Sequence, residues 1–493
     1  MFFGGGFHRS DPMWITDPST LYAIIIGGLL LLLFLWTNTS RAFKFVRTSP
    51  AAPTQWVAVI ILKYLIYPPI VRRKSRAWLL LQLIYWPGNI VSMFIQTHSL
   101  TDIRIRSGYM AIINLFPLLM SDRLNFLADT LGLSIQAFTT IHSTLGIMST
   151  LQGVLHISVA IHQAGWHLKR NLQIYGLLAF SGIALAVITH LLRRFAIEIL
   201  SKVHKIAAVL VGITVLCHLI QSRNFPQLGV LISGVVLSLL FILRWVLLLI
   251  RNIKYGKVAS RAVIVRMKHA NAIRVVIPIN RPFQVQPGMS VYIWMPGVSL
   301  RSALQTYSFP ISWWNNDTNG NATSITLLVR KERGFAERLM SHPRSEFLTW
   351  LDGPYGRLDG LVGYSRVLFI GTGIGISPLL SYIRLAVENN INNRTHCDIF
   401  IVWEVDHKSN LDWIYDWMDE LLRKDNGAYK LRFALHIPSA RHAQDTHEMW
   451  NSKHGRIFRL YSAVNAKDAI PNDFFKDKRK GLIAENGGQV HGV

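Results

Sequence analysis

Up to about residue 250, long apolar runs alternate with short polar segments. Beyond Gly256 the apolar runs shorten, and Gly, Pro and charged residues spread among them. Leu21–Trp36 is just long enough to cross a hydrocarbon core of about 30 Å. Six further runs, at roughly 77–96, 108–121, 137–160, 174–192, 203–221 and 227–250, predict more spans and seven crossings in all. Trp56–Val71 is apolar but carries Lys63 and Pro68-Pro69, which predicts a helix lying on the inner membrane surface. After Gly256, the alternation in SRAVIVRMKHA, IRVVIPI, SVYIWMPG and SITLLVRK predicts short antiparallel strands closing a small barrel. SRVLFIGTGIGISPLLSYIRLAV then reads as strand, glycine turn and helix, with IFIVWEV and KLRFALHI as later strands of a parallel sheet. The fold class is an α-helical transmembrane bundle followed by an antiparallel β-barrel domain and an α/β domain. Its expected segments are 1–55 (tail and first span), 56–250 (six spans), 256–350 (barrel) and 351–493 (α/β).

Composition agrees with a membrane portion. The chain of 493 residues is 51% hydrophobic and only 16% charged, against about 25% for a soluble protein. Its 52 Lys+Arg against 27 Asp+Glu give a net charge of +25. These cations flank apolar runs instead of forming one stripe, which excludes a nucleic-acid partner and fits cytoplasmic loops beside membrane lipid. Asp11 and Asp17 precede the first run, while Arg41, Lys44 and Arg47 follow it, so the N-terminus is expected outside. That charge order is the reverse of a cleaved signal peptide. Seven crossings then leave the chain inside at Arg251 and Lys254; Arg104, Arg106, Lys169 and Arg170 fall outside, against the trend. Cys217 and Cys397 lie far apart and make no disulfide framework.

Ionisable residues inside spans are rare and face the bundle interior. His142 and His156 share one predicted helix, His204 and His218 another, and both spacings are fourteen residues. Fourteen residues turn a helix through about 1400°, so each pair shares a face, about 21 Å apart along the axis. Both helices run in the same direction in this topology, so His142 is level with His204 and His156 with His218. Two levels of facing imidazoles suit two stacked haems, each iron held by one nitrogen from each helix. Gly146, Gly153 and Gly212 lie on these helices and leave room for flat macrocycles. His162, His167 and His190 lack such spacing and read as interfacial or polar-network residues.

The stretch Arg106–Trp166, which includes LGIMSTLQGVLHISVAIHQAGW, resembles the transmembrane domain of fungal ferric and cupric reductases, as does RRFAIEILSKVHKIAAVLVGITVLCH from Arg193 to His218. The wider superfamily includes the NADPH oxidases, which share the two-haem, four-histidine plan. The resemblance covers most of the chain from about residue 55 to 460. It implies two haem b groups, FAD and NADPH, a ferric reductase-like haem domain, and a ferredoxin-NADP-reductase-like cytosolic module. Where relatives carry Trp and Arg after the first ligand, Ser143 and Thr144 stand here.

The resemblance also marks flavin and nucleotide residues. LQTYSFPIS places Tyr307, Ser308, Phe309 and Pro310 at the family's flavin motif, with Tyr307 to stack on isoalloxazine and Ser308 to hydrogen-bond the flavin. Gln305 stands where ferredoxin reductases have Arg. Arg330, Lys331 and the Gly334 turn are expected to hold the FAD pyrophosphate, although Ala336 replaces a usual hydroxyl. LDGPYG (Leu351–Gly356) matches the hinge between the two cytosolic domains. Gly371, Gly373 and Gly375 let a turn pass beneath a pyrophosphate, with Ser377 as N-cap and Pro378 as first helical residue. Relatives continue the Trp403 strand into an Arg that binds the 2′-phosphate of NADPH, whereas Asp406 stands here. Arg456 keeps a second family cation and Lys408 lies nearby, so weakened NADPH preference and NADH use are expected. The segment KGLIAENGGQVHGV lacks the family's Cys-Gly-Pro strand and terminal aromatic segment.

Together these features predict a multi-pass metalloreductase of the plasma membrane, or else of the vacuole or another internal membrane. Electrons would pass from nicotinamide through FAD and two haems to extracytosolic Fe³⁺ or Cu²⁺ chelates, beside metal-uptake machinery. No side chain beyond the cofactor sites is expected to be catalytic. The alternatives are a superoxide-producing oxidase and a haem protein with an inactive nucleotide domain.

Overall fold

The seven predicted apolar runs are all helical in the computed structural model, which describes residues 17–44, 69–71, 74–120, 124–165, 171–222, 227–254, 256–356, 364–392, 397–425, 430–439, 450–451, 455–464, 481–485 and 489–492. The helices are α1 (Pro18–Lys44), α2 (Arg76–Phe94), α3 (Leu100–Leu119), α4 (Leu124–Thr130), α5 (Ile135–Ala164), α6 (Asn171–Leu192), α7 (Ile197–Gln221) and α8 (Gln227–Asn252). Of these, α4 has no counterpart among the predicted spans. Five described helices, α1, α5, α6, α7 and α8, are long and apolar enough to cross a membrane. In α2 the run is diluted by Gln82, Tyr85 and Asn89, and α3 begins eight residues before the predicted span, taking in Asp102, Arg104 and Arg106. A capping box makes the early start of α3: Ser99 accepts from the Asp102 N–H at 3.2 Å, and Asp102 accepts from the Ser99 N–H at 3.0 Å. The surface helix expected over Trp56–Val71 lies outside the described residues, except that Pro69–Val71 pairs as a strand with Lys74–Ser75.

The chain divides into two compact units, residues 1–245 and 246–493. In the first, α5 packs on α3 and α7 on α6, whereas α5 and α7 stand apart, leaving a gap that side chains must span. A polar network sits in this apolar bundle. The Tyr22 and Tyr85 hydroxyls donate to Oδ1 of Asn114 at 3.1 and 2.9 Å, and the Asn89 amide donates to the Tyr22 hydroxyl at 2.9 Å. Asn114 donates to Asn89 at 2.8 Å and to Gln152 at 2.9 Å, and Gln152 donates to Asn89 at 3.0 Å. Each such group left unpaired would cost about 1–3 kcal/mol, so the closed network specifies how α1, α2, α3 and α5 meet.

In the second unit, β1 (Ser260–Met267), β2 (Ala272–Phe283), β3 (Ser290–Trp294), β4 (Tyr307–Pro310), β5 (Trp313–Asn316), β6 (Ala322–Arg330) and β7 (Glu346–Tyr355) form one antiparallel sheet in the order β4-β3-β7-β1-β2-β6-β5. The edge strands β4 and β5 are separated by Ile311 and Ser312 alone, so the sheet must curl until its edges meet. Ala262 and Ile264 of β1 point into the barrel while Arg261 and Val263 face out, as alternation predicts. The helix α9 (Phe335–Ser341) follows β6.

The rest is a parallel sheet: β8 (Arg366–Thr372), β9 (Asp398–Glu404), β10 (Leu431–His436), β11 (Trp450–Asn451), β12 (Ile457–Leu460), β13 (Gly481–Glu485) and β14 (Gln489–Gly492), in the order β11-β12-β10-β9-β8-β13-β14. The helices α10 (Ile376–Ile391) and α11 (Tyr415–Lys424) cover it. The edge strands β11 and β14 run antiparallel to their neighbours. Successive strands step away from β8 on one side, and β13 returns on the other, so the carboxyl end of β8 is the topological switch point. The segment that lacks Cys-Gly-Pro nevertheless forms β13, paired in parallel with β8.

The barrel and the sheet share an apolar core around Trp313, Leu328, Phe369 and Trp417. Arg274 of the barrel donates to both oxygens of Asp416 at 2.7 and 2.5 Å and lies 4.0 Å over the Trp417 ring. Trp417 stacks on Trp313 at 5.4 Å. Burial opposes ionisation of Asp416, but the hydrogen bonds and charge of Arg274 outweigh it and hold the carboxyl below its usual range.

Candidate functional site

Both predicted histidine pairs assemble. The His142 and His204 ring centroids lie 6.4 Å apart, and those of His156 and His218 lie 6.2 Å apart. A metal held between two imidazoles needs two bonds of about 2.0 Å and two ring radii of about 1.1 Å, close to 6.2 Å in all. The donor sets therefore fit an iron at each level. Three of the four rings are oriented by backbone carbonyls: Nδ1 of His156 bonds Arg104 O at 2.7 Å, that of His204 bonds Ala186 O at 2.9 Å, and that of His218 bonds Leu172 O at 2.8 Å. A carbonyl accepts, so each Nδ1 carries the proton and each Nε2 keeps its lone pair for a metal.

A cavity of about 500 Å³ opens around the 156/218 pair, within the range of ligand pockets. Its lining is largely apolar, and among the described residues Arg104 is the one Asp, Glu, Lys or Arg in it. A Cβ at Gly153 would meet open space, and one at Gly146 or Gly212 would only touch Leu118 or Leu119 at 3.9 and 3.7 Å. Two other glycines matter more. A Cβ at Gly108 would lie 2.8 Å from Nδ1 of His156, and one at Gly176 would lie 3.2 Å from the His218 ring. Neither position was marked by sequence, because a glycine in an apolar helix carries no sign of what it faces. His190, expected to lack a partner, stands 6.5 Å from His204 and adds a third imidazole beside the 142/204 pair. Among the described residues no cluster of three His, Cys, Asp or Glu side chains suits a bare metal ion.

In the barrel, Tyr307 stacks on Phe335 at 4.0 Å and 17°, and Phe309 lies 6.4 Å from the same ring. Phe335 was not singled out by sequence. Ser308 is exposed on β4, and Lys331 is anchored by its N–H to Asn271 O at 2.8 Å. Gly334 has φ +105°, a conformation that favours glycine, and begins α9.

The glycine turn follows β8 at the switch point. A Cβ at Gly371 would meet Leu379 at 3.3 Å, and Gly373 has φ +49°. The Trp403 indole N–H donates to Gly373 O at 2.9 Å, so this buried ring supports the turn from beneath. The expected cap is displaced. Gly373–Gly375 is a 3₁₀ turn that runs straight into α10, so Gly375 is the N-cap, and Ser377 and Pro378 both lie within the first turn. The Ser377 hydroxyl instead meets the Ser312 hydroxyl of the barrel at 2.7 Å. Pro378 is tolerated because first-turn N–H groups have no helical acceptor.

Arg330 and Asp406 form an ion pair at 3.2 Å, and a Cβ at Gly373 would lie 3.6 Å from Arg330. The structure thus gathers Arg330, Asp406 and the glycine turn. Arg456 is not with them. It precedes β12, at the amino ends of the strands, is 9% exposed, and binds Asp425 at 3.3 Å and Leu422 O at 3.1 Å. A cation so placed is a structural clamp on the end of α11. Burial pushes the Cys397 thiol up to about 12, leaving it an inert core residue.

An apolar helix bundle with two facing imidazole pairs, joined in sequence to an antiparallel barrel and a parallel sheet with a glycine turn at its switch point, has the architecture of a membrane protein with a nucleotide-binding type of α/β domain. Residues 364–467 match the family model described as ferric reductase NAD binding domain. The chain is similar to the probable cell surface ferric reductase kap2 of Aspergillus oryzae, 22% identical over 343 residues, 63% of this chain and 44% of that protein. It is also similar to ferric/cupric reductase transmembrane component 7 of Saccharomyces cerevisiae, 23% identical over 332 residues, 64% of this chain and 51% of that one. The chain spans about half the length of these curated relatives. Among solved structures it is similar to the ferredoxin reductase of carbazole 1,9a-dioxygenase, with 16% identity, a TM-score of 0.32, and 46% of this chain and 60% of that one covered.

Proposed function

We propose that the chain is a membrane metalloreductase, carrying electrons from a cytosolic nicotinamide nucleotide to ferric or cupric chelates across the membrane. The observation that carries the proposal is the pair of imidazole couples at 6.4 and 6.2 Å on two levels of one helix gap. When bound, FAD converts a hydride pair into single electrons, and two haems relay them through the apolar bundle. His142 and His204 would hold one haem and His156 and His218 the other. The carbonyls of Arg104, Ala186 and Leu172 hold the rings in the tautomer that ligates.

In the cytosolic module, Tyr307, partly buried and stacked on Phe335, would offer its other face to the flavin ring, and Ser308 an exposed hydroxyl. The glycine turn and the first N–H groups of α10 receive the nucleotide pyrophosphate. Asp406 favours free ribose hydroxyls over a 2′-phosphate, so NADH serves beside NADPH. The similarity to named ferric and cupric reductases supports metal chelates as acceptor over dioxygen. Whole cells producing the protein should reduce ferric chelate at their surface without matching superoxide release; superoxide as the main product would assign the chain to the oxidase alternative.

A further inference from the structure

The first helix reaches the 156/218 pair by two independent routes. Asp17, which caps α1 by accepting from the Ser19 and Thr20 N–H groups at 3.1 Å, binds Arg106 of α3 at 3.1 Å. Arg106 lies two residues after Arg104, whose carbonyl fixes Nδ1 of His156. Arg106 also donates to Ile95 O, so its guanidinium is held from two sides. Further along α1, the Tyr22 hydroxyl donates to Asn114 at 3.1 Å and accepts from Asn89 at 2.9 Å, and both amides bond Gln152. Gln152 precedes His156 by one helical turn on α5. Asn89, Asn114 and Gln152 are at most 1% exposed and Tyr22 is 9% exposed.

The two helices that set the His156 ring, one bearing it and the other supplying its acceptor, are therefore both tied to α1. Nothing comparable joins α1 to the 142/204 pair among the described hydrogen bonds. The far end of α1 instead binds the α4 region, through Thr37 to Leu131 O at 3.1 Å and Asn38 to Thr130 O at 3.4 Å. Polar side chains in an apolar bundle persist where they specify one arrangement.

We propose that Asp17 and Tyr22 are positioning residues for the 156/218 haem site, making α1 a brace for one of the two haems and not merely an additional anchor. The inference rests on the haem assignment above. Loss of either contact lets α3 and α5 shift, changes how the His156 ring is aimed at His218, and leaves the other pair untouched.

The test uses the purified full chain in detergent, with Tyr22→Phe, Asp17→Asn and a control, Leu29→Ala, at an exposed position on α1. Low-temperature electron paramagnetic resonance and redox titration follow the two low-spin haems separately. Tyr22→Phe and Asp17→Asn should each shift the signal and midpoint of one haem and speed its loss to a haem acceptor about tenfold, with the second haem and the Leu29→Ala protein unchanged. His156→Ala should abolish that same signal, which identifies it. Equal shifts in both haems, or none in either variant of a two-haem protein, would overturn the inference alone. A wild-type protein without haem would overturn the haem assignment and this inference with it.

Discussion

Nδ1 of His156 is bonded to the carbonyl of Arg104 at 2.7 Å, and its ring lies 6.2 Å from that of His218. One ring is thus fixed at its proton-bearing nitrogen by α3 and aimed across the helix gap. Substituting His156 or His218 with Ala should lower the haem content to about half, because one of two equivalent levels loses a ligand. His142→Ala or His204→Ala should do the same for the other level. Each substitution should abolish surface ferric reduction, since the levels act in series. A pyridine haemochrome assay beside whole-cell reduction checks this; a His156→Ala protein with full haem and full activity would contradict it.

Gly108→Ala should act on the same ring without touching a ligand. The new methyl would lie 2.8 Å from Nδ1 of His156, where the Arg104 carbonyl already accepts. Ring and helix must separate, at a cost of about 1–3 kcal/mol typical of overpacking. Gly176→Ala, with 3.2 Å to His218, should be milder. Visible and paramagnetic resonance spectra of the two variants should show one perturbed haem in each, and the larger change in Gly108→Ala.

Nucleotide choice is expected to turn on Asp406. Its carboxylate pairs with Arg330 beside Gly373, and Arg456 is committed to Asp425. A 2′-phosphate would meet a carboxylate with no spare cation from Arg456. The ratio of kcat/KM for NADPH over NADH should be modest in the wild type and rise about tenfold or more in Asp406→Arg, a change of about 1.4 kcal/mol. A strong NADPH preference indifferent to the substitution would refute the assignment.

The contact between barrel and sheet should be acid-sensitive. The Asp416 carboxyl is depressed in the folded state, so its pairing with Arg274 stabilises fully above the ordinary carboxylate range, near pH 3.9. That contribution is lost as the pH falls through the folded-state value. Asp416 is 58% exposed at its side chain, so the pair is worth at most about 1 kcal/mol. Asp416→Asn should lower the melting temperature of the unit formed by residues 246–493 slightly at neutral pH, and the difference from wild type should vanish in acid.

Much of this organisation was legible in the sequence because it is periodic. Long apolar runs marked seven helices, alternation marked most strands of the barrel, and two equal spacings brought His142 to His204 and His156 to His218. What escaped depends on contacts that have no pattern. Gly108 and Gly176 look like any small residue in an apolar helix until a ring is placed against them. The carbonyls of Arg104, Ala186 and Leu172 carry no side-chain signal. Arg456 resembled a phosphate ligand by its neighbours in sequence, yet it stands at the amino end of its strand, facing Asp425. Ser377 resembled a cap, but the 3₁₀ turn before it moved the helix start to Ile376.

Nicotinamide electrons should reach two haems within this one chain. Purified protein loaded with FAD, mixed with NADPH or NADH without oxygen, should show both haems reduced in the visible spectrum, at two haems per chain. Two intact haems that dithionite reduces and neither nucleotide does would contradict the account.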